Sequence, residues 1–191
     1  MTQYCDDVRR PIQLFIFIIA IITFQLHMNT KTIKYPYLPN NRSILYVSKD
    51  NEYIKKAEDF AKNESSDSKH KTGAVVVKGG VIVGYGTNQT ALNKKNKIND
   101  FLKNQHSKLC IRRVFKIKSG EKYWLCPGCA SPSEHAEQRA IRDALRSESS
   151  ISGADLYLWG HWWCCKPCWD SIIKAEIKNV FLLEDSENLF K

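Results

Sequence analysis

Three cysteines crowd one short stretch near the end of the chain, HWWCCKPCWD, which runs from His161 to Asp170. Cys165 and Cys168 have the CxxC spacing that is common among metal ligands, and Cys164 precedes them directly. Such thiols form a disulfide, hold a structural metal, or hold a metal that takes part in a reaction. The chain has seven cysteines, an odd number, so they cannot all pair with one another. A metal is therefore favoured, and its remaining ligands must come from elsewhere in the sequence.

A second set of chemical groups opens a predicted helix 30 residues before Cys165, at His135-Ala136-Glu137. One imidazole and two thiolates form a zinc site, and three protein ligands leave the fourth tetrahedral position to water, as in catalytic sites. Helix N-termini also favour thiolates. We therefore predict that His135, Cys165 and Cys168 are zinc ligands. Glu137 would then lie beside the bound water, whose protons a carboxylate can move.

The elements that must position these groups can be read from the sequence pattern. A helix follows Asn51, a plausible N-cap, and TGAVVVKGGVIVGYGTN predicts a β-hairpin with its turn at Lys78-Gly79-Gly80. A second helix is predicted from Ser131 and Pro132, with Glu134 completing a capping box. Strand, helix and strand follow, which predicts an α/β sandwich with right-handed crossovers.

Composition favours one globular domain and a basic insertion. The 191 residues are 43% hydrophobic and 26% charged, with a net charge of +9. Nine Lys and Arg residues face a single Asp between Thr90 and Lys118, so this stretch carries a surplus of eight positive charges. It is either a solvated Lys-rich insertion with little regular structure, about residues 90–130, or a surface that attracts phosphate.

The same insertion carries a second group of metal-ligand residue types. HSKLC and CPGC resemble the two halves of a structural zinc knuckle, with His106, Cys110, Cys126 and Cys129 as ligands. The alternative is free, buried thiols with an exposed histidine.

The N-terminal extension, residues 1–27, is hydrophobic. Ile12 to Leu26 is a run of 15 residues without charge, shorter than the roughly 20 of a membrane-spanning helix. It is a marginal anchor, an uncleaved signal, or a stretch upstream of a true start at Met28. We favour the last reading, with the functional domain at 28–191 in the cytoplasm. The alternative is membrane attachment through residues 12–26.

The motifs TGAVVVKGGVIVGYGTN, HAEQRAI and CKPCWDSIIKAEIKNVFLL, in this order, resemble the cytidine/deoxycytidylate deaminase superfamily from about Asn51 to Glu184. The likeness is greatest to dCMP deaminases, including the late-competence-related branch, whose cysteine-containing insertion is similar to CIRR…SGEKYWLCPGC. The resemblance implies a three-layer α-β-α sandwich with a mixed central sheet and helices on both faces.

The resemblance also implies a chemistry. Zinc would be held by His135, Cys165 and Cys168, and the zinc-bound hydroxide would attack C4 of a cytosine nucleotide with Glu137 as proton shuttle, converting dCMP to dUMP and ammonia. Asn88 matches a position that contacts the sugar.

Other residues near the site leave alternatives open. His161 and Trp163 either contact the substrate or belong to the core. Cys164 departs from the family's usual proline, and is a spare thiol behind the site, a replacement for Cys165, or a point of oxidation.

Two further functions compete with deamination of a free nucleotide. One is deamination of a base in RNA or single-stranded DNA, with the basic insertion contacting the backbone. The other is a non-catalytic zinc-binding module, against which the presence of Glu137 argues. The partners expected are thus a small nucleotide or nucleic acid, and a homo-oligomer, since relatives commonly assemble as dimers or hexamers.

Overall fold

The computed structural model describes residues 33–67, 69–91, 110–118 and 121–191. The chain divides into two units, 1–34 and 35–191, and the second contains every element named below. The hydrophobic extension and His106 lie outside the described residues. Within the described part of the chain, no helix has the length and apolarity needed to cross a bilayer.

A five-stranded mixed sheet forms the centre of the second unit. Its strands, in chain order, are β1 (Ile44–Val47), β2 (Gly73–Lys78), β3 (Val81–Thr87), β4 (Asp155–Trp159) and β5 (Asn179–Leu183). Across the sheet the order is β1-β5-β4-β2-β3. Strand β5 pairs in parallel with β1 and β4, whereas β2 pairs antiparallel with both β3 and β4. The predicted hairpin is therefore confirmed as β2–β3.

The helices alternate with the strands, as the sequence pattern predicts. They are α1 (Glu52–Glu64), α2 (Ile111–Val114), α3 (Ala136–Ser147), α4 (Lys166–Lys174) and α5 (Ser186–Phe190). Asn51 caps α1 as expected, because its Oδ1 accepts hydrogen bonds from the backbone N–H groups of Tyr53 and Ile54 at 3.0 and 3.1 Å. Two 3₁₀ turns, Tyr123–Leu125 and Pro132–Glu134, lie between α2 and α3.

Helices cover both faces of the sheet, which confirms the predicted three layers. On one face Ile54 and Ala57 of α1 pack against Val75, Val77 and Tyr157. On the other face α3 lies directly on β3, and α4 packs against α3. The two helices lie on opposite faces because successive residues of a strand point to opposite faces of the sheet. Gly73 lies under α1, and Gly86, which pairs with the next residue of β2, lies under α3.

The start of α3 differs from the prediction. The Ser131 side chain caps nothing, and the capping box with Glu134 is wrong. Instead Pro132–Glu134 form the 3₁₀ turn, His135 takes an extended conformation, and the α-helix begins at Ala136. The Glu134 carboxylate accepts from Arg139 at 2.7 Å, a pairing that competes with the box. This extended residue places the His135 side chain at the mouth of the helix.

Candidate active site

The structure brings three sequence-predicted ligands together at the N-termini of α3 and α4. Cys165 Sγ lies 3.5 Å from His135 Nδ1 and 3.4 Å from Cys168 Sγ, and Cys168 Sγ lies 3.5 Å from the same nitrogen. A tetrahedral zinc with bonds of about 2.3 Å to sulfur and 2.05 Å to nitrogen sets sulfurs about 3.8 Å apart and sulfur about 3.6 Å from nitrogen. His135 Nδ1, Cys165 Sγ and Cys168 Sγ thus form a metal triangle whose sides are within a few tenths of an ångström of that geometry, so these residues fit zinc.

Matching local structures at the two helix starts aim the ligands. His135 and Cys165 are the N-cap residues of α3 and α4, both in extended conformation, with ψ of 152° and 162°. Each carbonyl accepts the first hydrogen bond of its helix, from Arg139 at 3.1 Å and from Trp169 at 3.0 Å. Because the caps use no side-chain hydrogen bond, the imidazole and the thiol are left to face each other.

The pKa values of Cys165 and Cys168 are shifted in opposite directions. The hydrogen bonds that the Cys165 sulfur makes with Cys168 and with His135 lower the pKa of Cys165 to about 5, although burial opposes the shift. The hydrogen bond with Cys165 and burial raise the pKa of Cys168 well above its usual value. Burial lowers the pKa of His135, but the hydrogen bond to Cys165 and the charge of Glu137 outweigh it and raise that pKa. A metal bound here would displace the protons of these thiols.

Glu137 lies in the first turn of α3, two residues after His135. Its side chain is only 5% exposed and lines a cavity together with His135 and Cys165. The thiol of Cys164, fully buried behind the site, hydrogen-bonds to this carboxylate. Burial and the Glu137 charge raise the pKa of Cys164, so it stays protonated as a donor. Cys165, and not Cys164, is the thiol that joins the metal group.

The cavity beside the triangle has a volume of about 380 Å³. Its wall combines the candidate catalytic groups with a set of cationic side chains, Lys69, Arg112, Arg113 and Lys191. A cavity of this size suits a small ligand such as a nucleotide. Cations around it suit a ligand that carries phosphate.

The three residues predicted to contact substrate all line this cavity: Asn88, His161 and Trp163. Asn88 is buried, and its Oδ1 accepts from the backbone N–H of Thr72 at 2.9 Å and from the hydroxyl of Ser65 at 2.5 Å. Its Nδ2 donates to the carbonyl of His70 at 2.7 Å. One N–H of the amide is left for a ligand. Asn88 therefore also fixes the loop before β2, a structural role that the sequence did not reveal.

The loop before the CxxC folds around His161. Nδ1 of His161 accepts hydrogen bonds from the backbone N–H groups of Trp162 and Trp163, at 3.1 and 3.4 Å. The Trp163 ring meets the imidazole edge-on, with centroids 5.9 Å apart. Burial lowers the pKa of His161 to about 4, and the nearby His135 adds to the shift, so the ring is neutral at physiological pH.

A second group of thiols forms in the basic insertion. Cys110 Sγ lies 3.9 Å from Cys126 Sγ and 3.7 Å from Cys129 Sγ, close to the sulfur spacing of a tetrahedral zinc. These are three of the four predicted ligands of the knuckle, and the fourth, His106, lies outside the described residues. The described part of the insertion otherwise has little regular structure, as predicted.

The second group connects to the first through two residues that the sequence analysis missed. The guanidinium of Arg112 lies 3.9 Å from the ring centroid of Tyr123, and it donates to the carbonyls of Glu121 and Lys118 at 3.0 and 2.8 Å. Tyr123 in turn meets His135 edge-on, with centroids 5.2 Å apart. Cys126 follows Tyr123 by three residues, a proximity that could have directed attention to this aromatic. No sequence signal marked Lys191, which reaches the cavity from the end of the chain.

Solved structures with a similar fold come from several enzymes. A diaminohydroxyphosphoribosylaminopyrimidine deaminase/reductase from Thermotoga maritima is 24% identical over 68% of this chain, with a TM-score of 0.40, and this chain spans only 28% of its length. The dCMP deaminase of cyanophage S-TIM5, solved with dCMP and dUMP, is 25% identical over 72% of this chain and 86% of its own, with a TM-score of 0.41. Guanine deaminase from Bacillus subtilis is 22% identical over 72% of this chain and 66% of its own, also with a TM-score of 0.41. No curated protein sequence matches the chain.

The family model described as the cytidine and deoxycytidylate deaminase zinc-binding region matches residues 47–184, a span that includes both helix starts of the metal triangle. This span is most of the chain and ends just after β5. The chain therefore belongs to the cytidine and deoxycytidylate deaminase family, whose members use zinc.

Proposed function

We propose that this protein is a zinc-dependent hydrolase that deaminates the cytosine ring of a nucleotide, converting dCMP and water to dUMP and ammonia. The observation that supports this most is a buried carboxylate, Glu137, on a cavity wall next to a triangle of one imidazole and two thiols that fits zinc. A purely structural zinc site has no use for such a carboxylate.

His135, Cys165 and Cys168 would hold the zinc, which when bound lowers the pKa of water toward ~7. Glu137 accepts a proton from that water and delivers it to N3 of the ring as oxygen bonds to C4. It then carries the second proton to the departing amine, so that the C4–N bond breaks and ammonia leaves. Its enclosure keeps competing bulk water away from these transfers.

The choice of a nucleotide over a free base rests on the charge of the cavity wall. Four cationic residues line it, Lys69, Arg112, Arg113 and Lys191, together with the carboxylates of Asp67 and Glu137, and Lys191 Nζ is paired with Glu187 at 2.7 Å. Asp67 Oδ1 already accepts from the backbone N–H groups of Lys69 and His70, at 2.9 and 3.0 Å. The cationic surplus therefore remains to bind phosphate.

We further propose that Cys110, Cys126 and Cys129 hold a second, structural zinc. A set of three thiols at this spacing, two of them buried and that of Cys129 half-buried, needs one more ligand, for which His106 is the candidate. The metal would stabilise a segment that holds Arg112 and Tyr123 at the cavity wall. Loss of this second zinc should make this part of the cavity wall more mobile and leave the metal triangle of His135, Cys165 and Cys168 assembled.

Ammonia release tests the proposal directly. Zinc-loaded protein is incubated with dCMP, CMP, cytidine, dAMP, dGMP and a short single-stranded RNA, and ammonia is measured beside zinc content. Glu137→Gln keeps the shape of the side chain and removes the base, so it should keep its zinc and lose at least about a hundredfold in rate. Release from dCMP above all others supports the proposal.

Two results would redirect it. Turnover only of RNA, falling steeply with salt, would favour a polynucleotide deaminase whose basic insertion contacts several phosphates. No ammonia from any cytosine or adenine substrate, by protein that holds zinc, would favour a non-catalytic zinc-binding module.

A further inference from the structure

The second group of thiols consists of Cys110, Cys126 and Cys129. Two consecutive turns close the segment that carries the last two of them. The carbonyl of Tyr123 accepts from the backbone N–H of Cys126 at 3.1 Å, and the carbonyl of Cys126 accepts from that of Cys129 at 2.9 Å. Ala130 follows directly. Tyr123 and Ala130 therefore flank these thiols, and both line the same cavity as His135.

Both flanking residues contact His135, a ligand of the metal triangle. The ring of His135 donates a hydrogen bond to the backbone carbonyl of Ala130, and it meets the Tyr123 ring edge-on, with centroids 5.2 Å apart. Because Nδ1 faces the thiols of Cys165 and Cys168, Nε2 is the nitrogen left for this carbonyl. A carbonyl acceptor at the second nitrogen fixes the tautomer and the ring orientation that a ligand histidine needs.

Arg112 connects Tyr123 to the second group of thiols. Its guanidinium lies 3.9 Å from the centroid of the Tyr123 ring and hydrogen-bonds to the thiol of Cys129. The carbonyls of Lys118 and Glu121 also accept from it, at 2.8 and 3.0 Å, and only 9% of the residue is exposed. Hydrogen bonds between a cation and an anionic acceptor are stronger than neutral ones. A metal that holds Cys129 as a thiolate would therefore strengthen these contacts.

Little apolar packing holds the segment that contains Tyr123 and Ala130. Trp124 is 80% exposed, and Tyr123 and Leu125 are half-buried, so none of these three large side chains lies in the core. Where a core is lacking, the free energy of metal binding supplies the free energy of folding. The conformation in which Ala130 and Tyr123 contact His135 would thus be stabilised by the metal that the second group of thiols binds.

We propose that the two metal sites are coupled: zinc at the second group of thiols holds the Ala130 carbonyl and the Tyr123 ring against His135, and thereby tightens zinc binding at the metal triangle. This inference rests on the proposed function and gives its second zinc a role at the first. Ala130 and Tyr123 are positioning residues, since they act on the reaction only through His135. Coupling of binding free energies is reciprocal, so zinc at the triangle also tightens binding at the second group.

Release of zinc to a chelating dye measures this coupling without any substrate. Wild-type protein with both sites filled is compared with Cys126→Ser, which keeps only the zinc of the triangle, and with Cys168→Ser, which keeps only that of the second group. Without coupling, the wild-type curve is the sum of the two variant curves. We expect instead that each variant releases its single zinc about 10- to 100-fold faster than the wild type releases either of its two.

A second set of variants leaves all the zinc ligands in place. Tyr123→Leu removes the ring that contacts His135 and should release zinc faster than the wild type, although it binds two zinc ions when loaded. Tyr123→Phe keeps the ring and should stay close to the wild-type rate. Trp124→Ala is the matched control, since Trp124 lies in the same 3₁₀ turn and is exposed, and its release rate should equal that of the wild type.

Four results would overturn the proposal: a wild-type curve equal to the sum of the two variant curves, wild-type release rates in Tyr123→Leu, equal acceleration in Trp124→Ala and Tyr123→Leu, or a single zinc in the loaded wild type. Failure of the deaminase function is distinguishable from these results. It would show as no ammonia from dCMP, whereas the release curves involve no substrate.

Discussion

The contact between Gly86 of β3 and helix α3 predicts a large effect for one added methyl group. A Cβ at Gly86 would lie 2.4 Å from the backbone nitrogen of Ala140 and 2.6 Å from the carbonyl oxygen of Ala136. Ordinary contacts are about 3.5–4.0 Å, so α3 must move outward by about 1 Å. Overpacking against backbone of this kind costs about 3 kcal/mol. Because His135 is the N-cap residue of α3 and Glu137 lies in its first turn, the shift should also disturb the active site.

Thermal unfolding of zinc-loaded Gly86→Ala measures this cost. A chain of this size loses about 2–4 °C of Tm per kcal/mol, so we expect a fall of about 6–12 °C. Gly79→Ala is the matched control, since its added Cβ meets no atom within 4 Å and only its φ of 59° is unfavourable, at a cost of about 1 kcal/mol. If Gly86→Ala unfolds at the temperature of the control or above it, the packing of α3 on β3 has been misread.

Three further predictions concern the thiols. Cys164→Ala should keep its zinc and lower kcat several-fold without a matching rise in KM, because the hydrogen bond to Glu137 is lost. Cys164→Ser keeps a hydroxyl donor and should recover much of that loss. Zinc analysis and steady-state kinetics check both variants, and loss of zinc in Cys164→Ala would show that Cys164 is a ligand. Cys126→Ser should reduce the zinc content from about two per chain to about one, and it should raise KM for dCMP more than it lowers kcat. Elemental analysis and steady-state kinetics measure these changes, and an unchanged zinc content would contradict the second zinc site. Acidification should release zinc, because protons compete with the metal for the Cys165 thiolate as the pH falls toward the pKa of about 5 that this thiol has without metal. A chelator-dye assay from pH 8 to pH 4 measures the release. Release that increased with rising pH would contradict the prediction.

Much of the fold was predictable because local rules decide it. The Asn51 cap and the glycine turn at Gly79-Gly80 act within a few residues, and the structure has the helix and the hairpin that they mark. The ligand set was predictable for a similar reason. The CxxC motif of Cys165 and Cys168 lies at the N-terminus of α4, and the HxE motif of His135 and Glu137 lies at the N-terminus of α3. Because α3 packs against α4, the two N-termini and their side chains come together.

What escaped prediction depends on distant contacts. Strand β1 has only four residues, and it exists because Ile44 to Val47 pair with β5, far along the chain. The start of α3 at Ala136 depends on the extended conformation of His135, and propensity alone would have begun the helix at Pro132. Lys191 reaches the cavity through the last helix of the chain, and nothing in its neighbourhood of the sequence announces that.

Zinc-edge anomalous diffraction from crystals of the zinc-loaded protein would show which side chains bind the catalytic zinc. We expect a strong peak bonded to His135 Nδ1, Cys165 Sγ and Cys168 Sγ at about 2.0–2.3 Å, with the Glu137 carboxylate next to the fourth position and not on the metal. A peak bonded to Cys164 or to Glu137 as a fourth protein ligand, or no peak at this triangle, would contradict it.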